Sequence, residues 1–220
     1  MYGYTSVTDE SDSAMEQPLV WITNDKDRSP AELIWVPQNA WGNLGGSLLN
    51  LSYGTGRAFI IPHEEVKGQW QGAVCELPMP PFATGIMRGR FGTDGSLYTC
   101  GMFAWAGNAT TPGGFYRIRR GNKPARMPLA VHSMKGAMSV TFSDPVTDTK
   151  SAMKVWSLKR TKNYGSKHYD EHELTIRDVK LSGDRKTITL DIPDLAPTWC
   201  YELKIGDRVL HGTIHQLAQP

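Results

Sequence analysis

Few residues in this chain have the types and spacing of a reaction centre. Arg88 and Arg90 flank a glycine, and in an extended backbone side chains two apart leave from one face, so both guanidinium groups would point the same way. A guanidinium is planar and permanently charged, and it meets carboxylate or phosphate oxygens two at a time. His168, Asp170 and His172 alternate similarly, which in an extended segment puts two imidazoles and a carboxylate on one face, as a mononuclear metal site could use. They lie in the polar stretch Lys159 to Glu173, KRTKNYGSKHYDEHE, for which a solvated loop is the plainer reading. His63-Glu64-Glu65 and the pair His211 and His215 are weaker groupings, and no Ser/His/Asp arrangement stands out.

The tryptophans divide by context. Trp21, Trp35 and Trp70 sit inside candidate strands and are expected in the core, whereas Trp41 and Trp105 flank Gly-rich loops and suit a binding face. The Gly-rich run Gly54-Thr55-Gly56-Arg57 leads into another strand, so the helix N-terminus that would hold a phosphate is missing and a turn is expected. Cys75, Cys100 and Cys200 form no CxxC or CxxCH motif, which excludes covalent haem attachment and leaves three buried thiols as the expectation.

The positioning elements read as β throughout. Gly85 to Phe91 and Ser96 to Phe103 flank Asp94-Gly95, and Asp-Gly between β-rich runs signals a hairpin because glycine accepts the positive φ of the turn. Apolar pairs of runs, Leu19 to Thr23 with Glu32 to Val36, Ala58 to Ile61 with Gln69 to Leu77, and Leu97 to Met102 with Phe115 to Arg119, recur about every 39 residues. That period is close to a propeller blade's, so residues 1–125 are expected to form about three blades of a partial β-propeller. Three blades cannot close a ring, which leads to the expectation of a larger parent protein or a second chain. After the basic, Pro-punctuated segment Gly121 to Pro128, short alternating runs with regular turns suggest an immunoglobulin-like β-sandwich over 126–220. In one run Ile188, Leu190 and Ile192 take one face and Thr187, Thr189 and Asp191 the other.

The composition is that of a folded protein, with 40% apolar and 21% charged residues. A net charge of +2 argues for no particular partner, and the second half is too mildly basic to read as a nucleic-acid surface. No apolar run is long enough for a membrane span, and the polar, acidic start lacks the basic and apolar regions of an export signal.

Much of the chain resembles a known family. NLSYGTGRAFIIPHEEV, GIMRGRF, DGSLYTCGMFAWAGN and TPGGFYRIR are similar to the last blades of the soluble sugar and sorbosone dehydrogenase type of quinoprotein propeller, most closely to bacterial propeller proteins often joined to cytochrome c modules. AMSVTFSDPV, VWSLKRTKNYGSKHYDEHEL and DIPDLAPTWCYEL resemble the immunoglobulin-like domain that ends those proteins. The resemblance implies a periplasmic or extracellular protein that binds pyrroloquinoline quinone (PQQ) with calcium and oxidises sugars or alcohols. It would give Arg88 and Arg90 to the acidic groups of the quinone and the Phe103 to Gly114 loop to the substrate mouth, with Trp41, Trp105 and Asn108 as the expected substrate-binding residues. Gly54 stands where those enzymes offer a lysine, and their histidine base would lie in blades that this chain lacks, so catalysis by this chain alone is not expected. The whole protein, if an enzyme, would be a quinoprotein oxidoreductase. The rival expectation is a scaffold that presents Trp41, Trp105 and the Lys159 to Glu173 stretch to a polysaccharide or protein.

Overall fold

A computed structural model describes residues 16–104, 109–159 and 165–219. Half of the chain is strand, and among the described residues there is no α-helix and no sheet closes on itself. Sixteen strands arise: β1 (Pro30–Trp35), β2 (Leu48–Ser52), β3 (Ala58–Ile60), β4 (His63–Val66), β5 (Gln69–Glu76), β6 (Gly85–Phe91), β7 (Leu97–Met102) and β8 (Gly113–Ile118), followed by β9 (Pro128–Met134), β10 (Ala137–Phe142), β11 (Ser151–Ser157), β12 (Tyr169–Leu174), β13 (Asp178–Leu181), β14 (Thr187–Asp191), β15 (Thr198–Ile205) and β16 (Arg208–Ile214). They build a nine-stranded sheet in the order β1-β2-β3-β5-β16-β15-β11-β12, with β4 also on β5, and two smaller sheets, β13-β14-β10-β9 and β6-β7-β8.

Turn chemistry sets much of this. Gly95 adopts φ +72° between β6 and β7, and Gly206 φ +55° between β15 and β16, both left-handed values that glycine takes without strain. Alternation in β14 holds as read, with Ile188, Leu190 and Ile192 fully buried. The 39-residue units, by contrast, do not each make a sheet. β1, the last run of the first unit, pairs with β2 of the second, and the Leu19 to Thr23 run forms no strand. That run instead crosses the sheet, where the Trp21 N–H donates to Thr213 Oγ1.

Nor does the backbone pairing break at 125/126. β5 has β3 and β4 along one edge and β16 along the other, with Cys75 opposite Leu210 and Ala73 opposite Gly212. One apolar core accordingly runs through both halves, from Leu49, Leu51, Ile60 and Ile86 to Met138, Leu190, Tyr201 and Leu203. Two expectations about burial fail. Trp35 and Trp70 are 59% and 50% exposed, and Cys100 faces solvent while Cys75 and Cys200 are buried. No helix among the described residues is long and apolar enough to cross a membrane.

Candidate functional site

Arg88 and Arg90 do leave β6 on one face, while Gly89 between them fits against Leu51, Ile34 and Leu97. Arg90 is nevertheless engaged. Its guanidinium pairs with Glu32 Oε1 at 2.5 Å, and the other oxygen of Glu32 accepts the Gly89 N–H at 2.6 Å. Glu32 therefore pins β6 beside β1, and Arg88 donates only to the carbonyl of its neighbour Met87. Neither arginine lines the cavities beside Trp41, Trp21, Asp25 or Asn50.

The three side chains of the expected metal site also part company. Asp170 adopts φ +54°, which breaks the extended alternation on which a shared face depends. His168 stacks on Trp156 at 4.2 Å and pairs with Glu171, while the ring of His172 turns back to the Asp170 carbonyl. No group of three His, Cys, Asp or Glu side chains suited to a metal occurs among the described residues. Trp105 and Asn108 lie outside those residues.

Trp41 is the candidate around which a site forms. It opens a short 3-10 turn, Gly42–Leu44, with φ +56° at Trp41 and +57° at Gly42. Gly42 takes its left-handed φ without strain, and the flexible guanidinium of Arg120 lies across it. Asn43 docks the turn to the second half of the chain, donating to the Ser143 carbonyl at 2.9 Å. The Trp41 indole is 7% exposed and meets Phe91 edge-on at 5.1 Å, and its Nε1–H has no hydrogen-bond partner.

Beside this indole lies a cavity of about 620 Å³. Its floor is apolar, from Trp41, Leu44, Leu77, Met79 and Ile118. Arg119, Arg120, Lys123 and Arg208 line it as well, and no aspartate or glutamate does. Arg208 holds the overlying strand-to-strand segment by donating to the carbonyls of Ala125 and Arg126. Arg120 faces Asp144, whose carboxyl burial pushes up but hydrogen bonds from Ser143, the Arg126 N–H and Asn43, with the Arg120 charge, hold below its ordinary value. Arg119 and Lys123 have no such counter-charge among the described residues. With four cations and no carboxylate in its lining, the cavity is equipped to bind anions.

Family models, curated proteins and solved structures offer no match to this chain. The site therefore rests on its own geometry. Trp41 was legible in the sequence from its Gly-rich surroundings, but the cations were not. Arg119, Arg120 and Lys123 read there as strand end and linker, and only the left-handed turn at Trp41-Gly42 brings the indole beneath them.

Proposed function

We propose that the chain is a ligand-holding portion of an extracytoplasmic quinoprotein-like protein, and that its Trp41 cavity takes a flat organic polyanion, the chemical class to which PQQ belongs. The carrying observation is an apolar, indole-floored cavity whose charged lining residues are all cations. A planar ring system would lie on the apolar floor, and its carboxylates would reach guanidinium forks that bind them bidentately. The proposal concerns the organic anion alone, since calcium needs several oxygen ligands and the lining brings no carboxylate. Oxidation of a sugar or alcohol would need a base and blades from outside this chain.

The finer architecture belongs to the same proposal. In support, β1-β2-β3-β5 is a four-stranded antiparallel meander with the β6-β7-β8 sheet packed against β1 and β2, as neighbouring blades would be. The strands β16-β15-β11-β12 and β13-β14-β10-β9 supply two four-stranded layers, as an immunoglobulin-like sandwich would.

Calorimetric titration of PQQ decides the matter. Saturable micromolar binding is expected, on the order of −8 kcal/mol, weakened by salt. Arg119→Glu/Lys123→Glu should abolish it, and Arg88→Ala/Arg90→Ala should leave it unchanged. Binding that follows Arg88 and Arg90 instead would move the site to β6, and no binding by folded protein would overturn the proposal.

A further inference from the structure

The outer face of the β1-β2-β3-β5 sheet carries side chains that neither the main core nor the Trp41 cavity uses. Register identifies them. Leu33 and Trp35 of β1 lie opposite Asn50 and Leu48 of β2, and Asn50 lies opposite Phe59 of β3. Opposed residues share a face, so all five project away from Leu49, Leu51 and Ile60, which enter the main core. In the adjoining hairpin Glu65 lies opposite Trp70 and His63 opposite Gly72. Leu48, Phe59, Ile61 and Val74 form a second cluster on this face, covered by Leu19 and Ile22 of the crossing segment.

Past the edge of that cover, three rings stand in a row. His63 lies between the exposed Trp35 and Trp70, with ring centroids 5.8 Å and 5.6 Å away. Its Nδ1 donates to the Ile61 carbonyl at 2.8 Å, which leaves Nε2 of the neutral ring as an acceptor. Glu65 adds an exposed carboxylate at the Trp70 end. Apolar rings that gather at the surface from separate strands mark a contact site.

An open groove of about 300 Å³ is lined by Leu33, Asn50, Ile61 and Val74 together with Leu19 and Ile22 of the crossing segment. Asn50 lies in its lining, 2% exposed, with neither Nδ2 nor Oδ1 hydrogen-bonded. A buried amide with both ends unmet is rare in folded proteins and marks a place where water or a ligand's polar groups would meet it. The amide offers donors and an acceptor side by side, which is what the hydroxyls of a sugar require.

We propose that this face binds a neutral polysaccharide. Pyranose rings present C–H faces that lie against indole and a rim of hydroxyls that must be hydrogen-bonded. Trp35 and Trp70 supply the stacking surface, His63 Nε2 and Glu65 accept hydroxyl protons beside it, and Asn50 receives the next unit in the groove. The exposed carboxylate on this face, Glu65, turns away polyuronates and so favours a neutral chain. The row crosses several strands, longer than one monosaccharide, which suits a polymer. None of this depends on the Trp41 cavity.

The test is retardation of the protein in native gels containing mixed-linkage β-glucan, glucomannan, xylan or polygalacturonate, backed by fluorescence titration with oligosaccharides of the retarding polymer. Retardation by at least one neutral polymer is expected, with at least tenfold weakening in Trp35→Ala and in Trp70→Ala, whose exposed side chains can be removed without loss of fold, and a smaller loss in Asn50→Leu. Failure of all neutral polymers to retard folded protein, preference for polygalacturonate, or binding indifferent to both tryptophan variants would overturn the proposal. So would a concentration-dependent dimer dispersed by Trp35→Ala, which would assign the face to a second copy of the chain.

Discussion

Acid should destabilise this protein in part through one histidine, alongside carboxyls such as Asp144 and Glu202 that the fold holds below their ordinary values. His211, on β16, is 1% exposed, its ring against Trp156 at 5.4 Å and its Nε2–H donated to the Trp21 carbonyl at 2.9 Å. Burial pushes its pKa down to about 4, opposed by the Trp21 carbonyl, lowered further by Lys26, and raised by Asp25 and Glu202. The folded state thus keeps the ring neutral where the unfolded chain, near its ordinary 6.5, takes up a proton. The stability His211 contributes is complete above pH 6.5 and is lost as the pH falls through 6.5 towards 4. Linkage puts the loss at about 2 kcal/mol between pH 7 and 5 and about 3 kcal/mol by pH 4. The carboxyls of Asp27 and Glu76, raised chiefly by burial, act in the opposite sense, because they protonate more readily when folded. Comparing wild type with His211→Gln, which can still donate to Trp21, removes their contribution. In urea titrations at pH 7, 6, 5 and 4, the wild-type midpoint should fall by roughly 1 M more than that of the variant, given an m-value of about 2–3 kcal/mol/M. Midpoints that run parallel across the range would refute the picture of a neutral ring sealed under the Trp21–Thr23 segment.

Two further outcomes follow from burial and close packing. Cys100 is exposed, whereas burial pushes the thiols of Cys75, to about 12, and Cys200 upward, so native protein should release one equivalent of thionitrobenzoate from Ellman's reagent and unfolded protein three. Cys100→Ser should abolish the native reaction, and a second fast equivalent would show that β5 or β15 opens. Gly212→Ala should cost about 1–3 kcal/mol, lowering Tm by at least about 2 °C, because its Cβ would overlap the buried Tyr201 ring and the Gly72 carbonyl where β16 joins β15 to β5. Gly183→Ala meets nothing and serves as the control; equal melting temperatures for the two would refute the close fit of β16.

What the sequence shows of this fold is local. A period of two marks a strand and tells which residues share a face, and the Asp94-Gly95 and Gly206-Asp207 turns tell where the chain reverses, as they do here. Parity does not tell which face is inside. β2 makes the difficulty plain, since all five of its residues are buried and Leu49 and Leu51 enter one cluster while Leu48 enters another. For Trp35 and Trp70 the deciding fact is where the cover ends. The Leu19–Ile22 segment reaches Phe59, Ile61 and Val74 and leaves the tryptophans beyond it in solvent, although their strands have the composition of a core. The pairing of β5 with β16 is hidden for a similar reason, because ladder bonds are made by backbone groups common to every residue and the partner lies more than a hundred residues away. The two candidate sites fall where that local legibility ends. Trp41 gains its cations, and the outer face gains its row of rings, only when segments distant in sequence are brought to one place, so substitution of single residues within each group is what connects the geometry to a ligand.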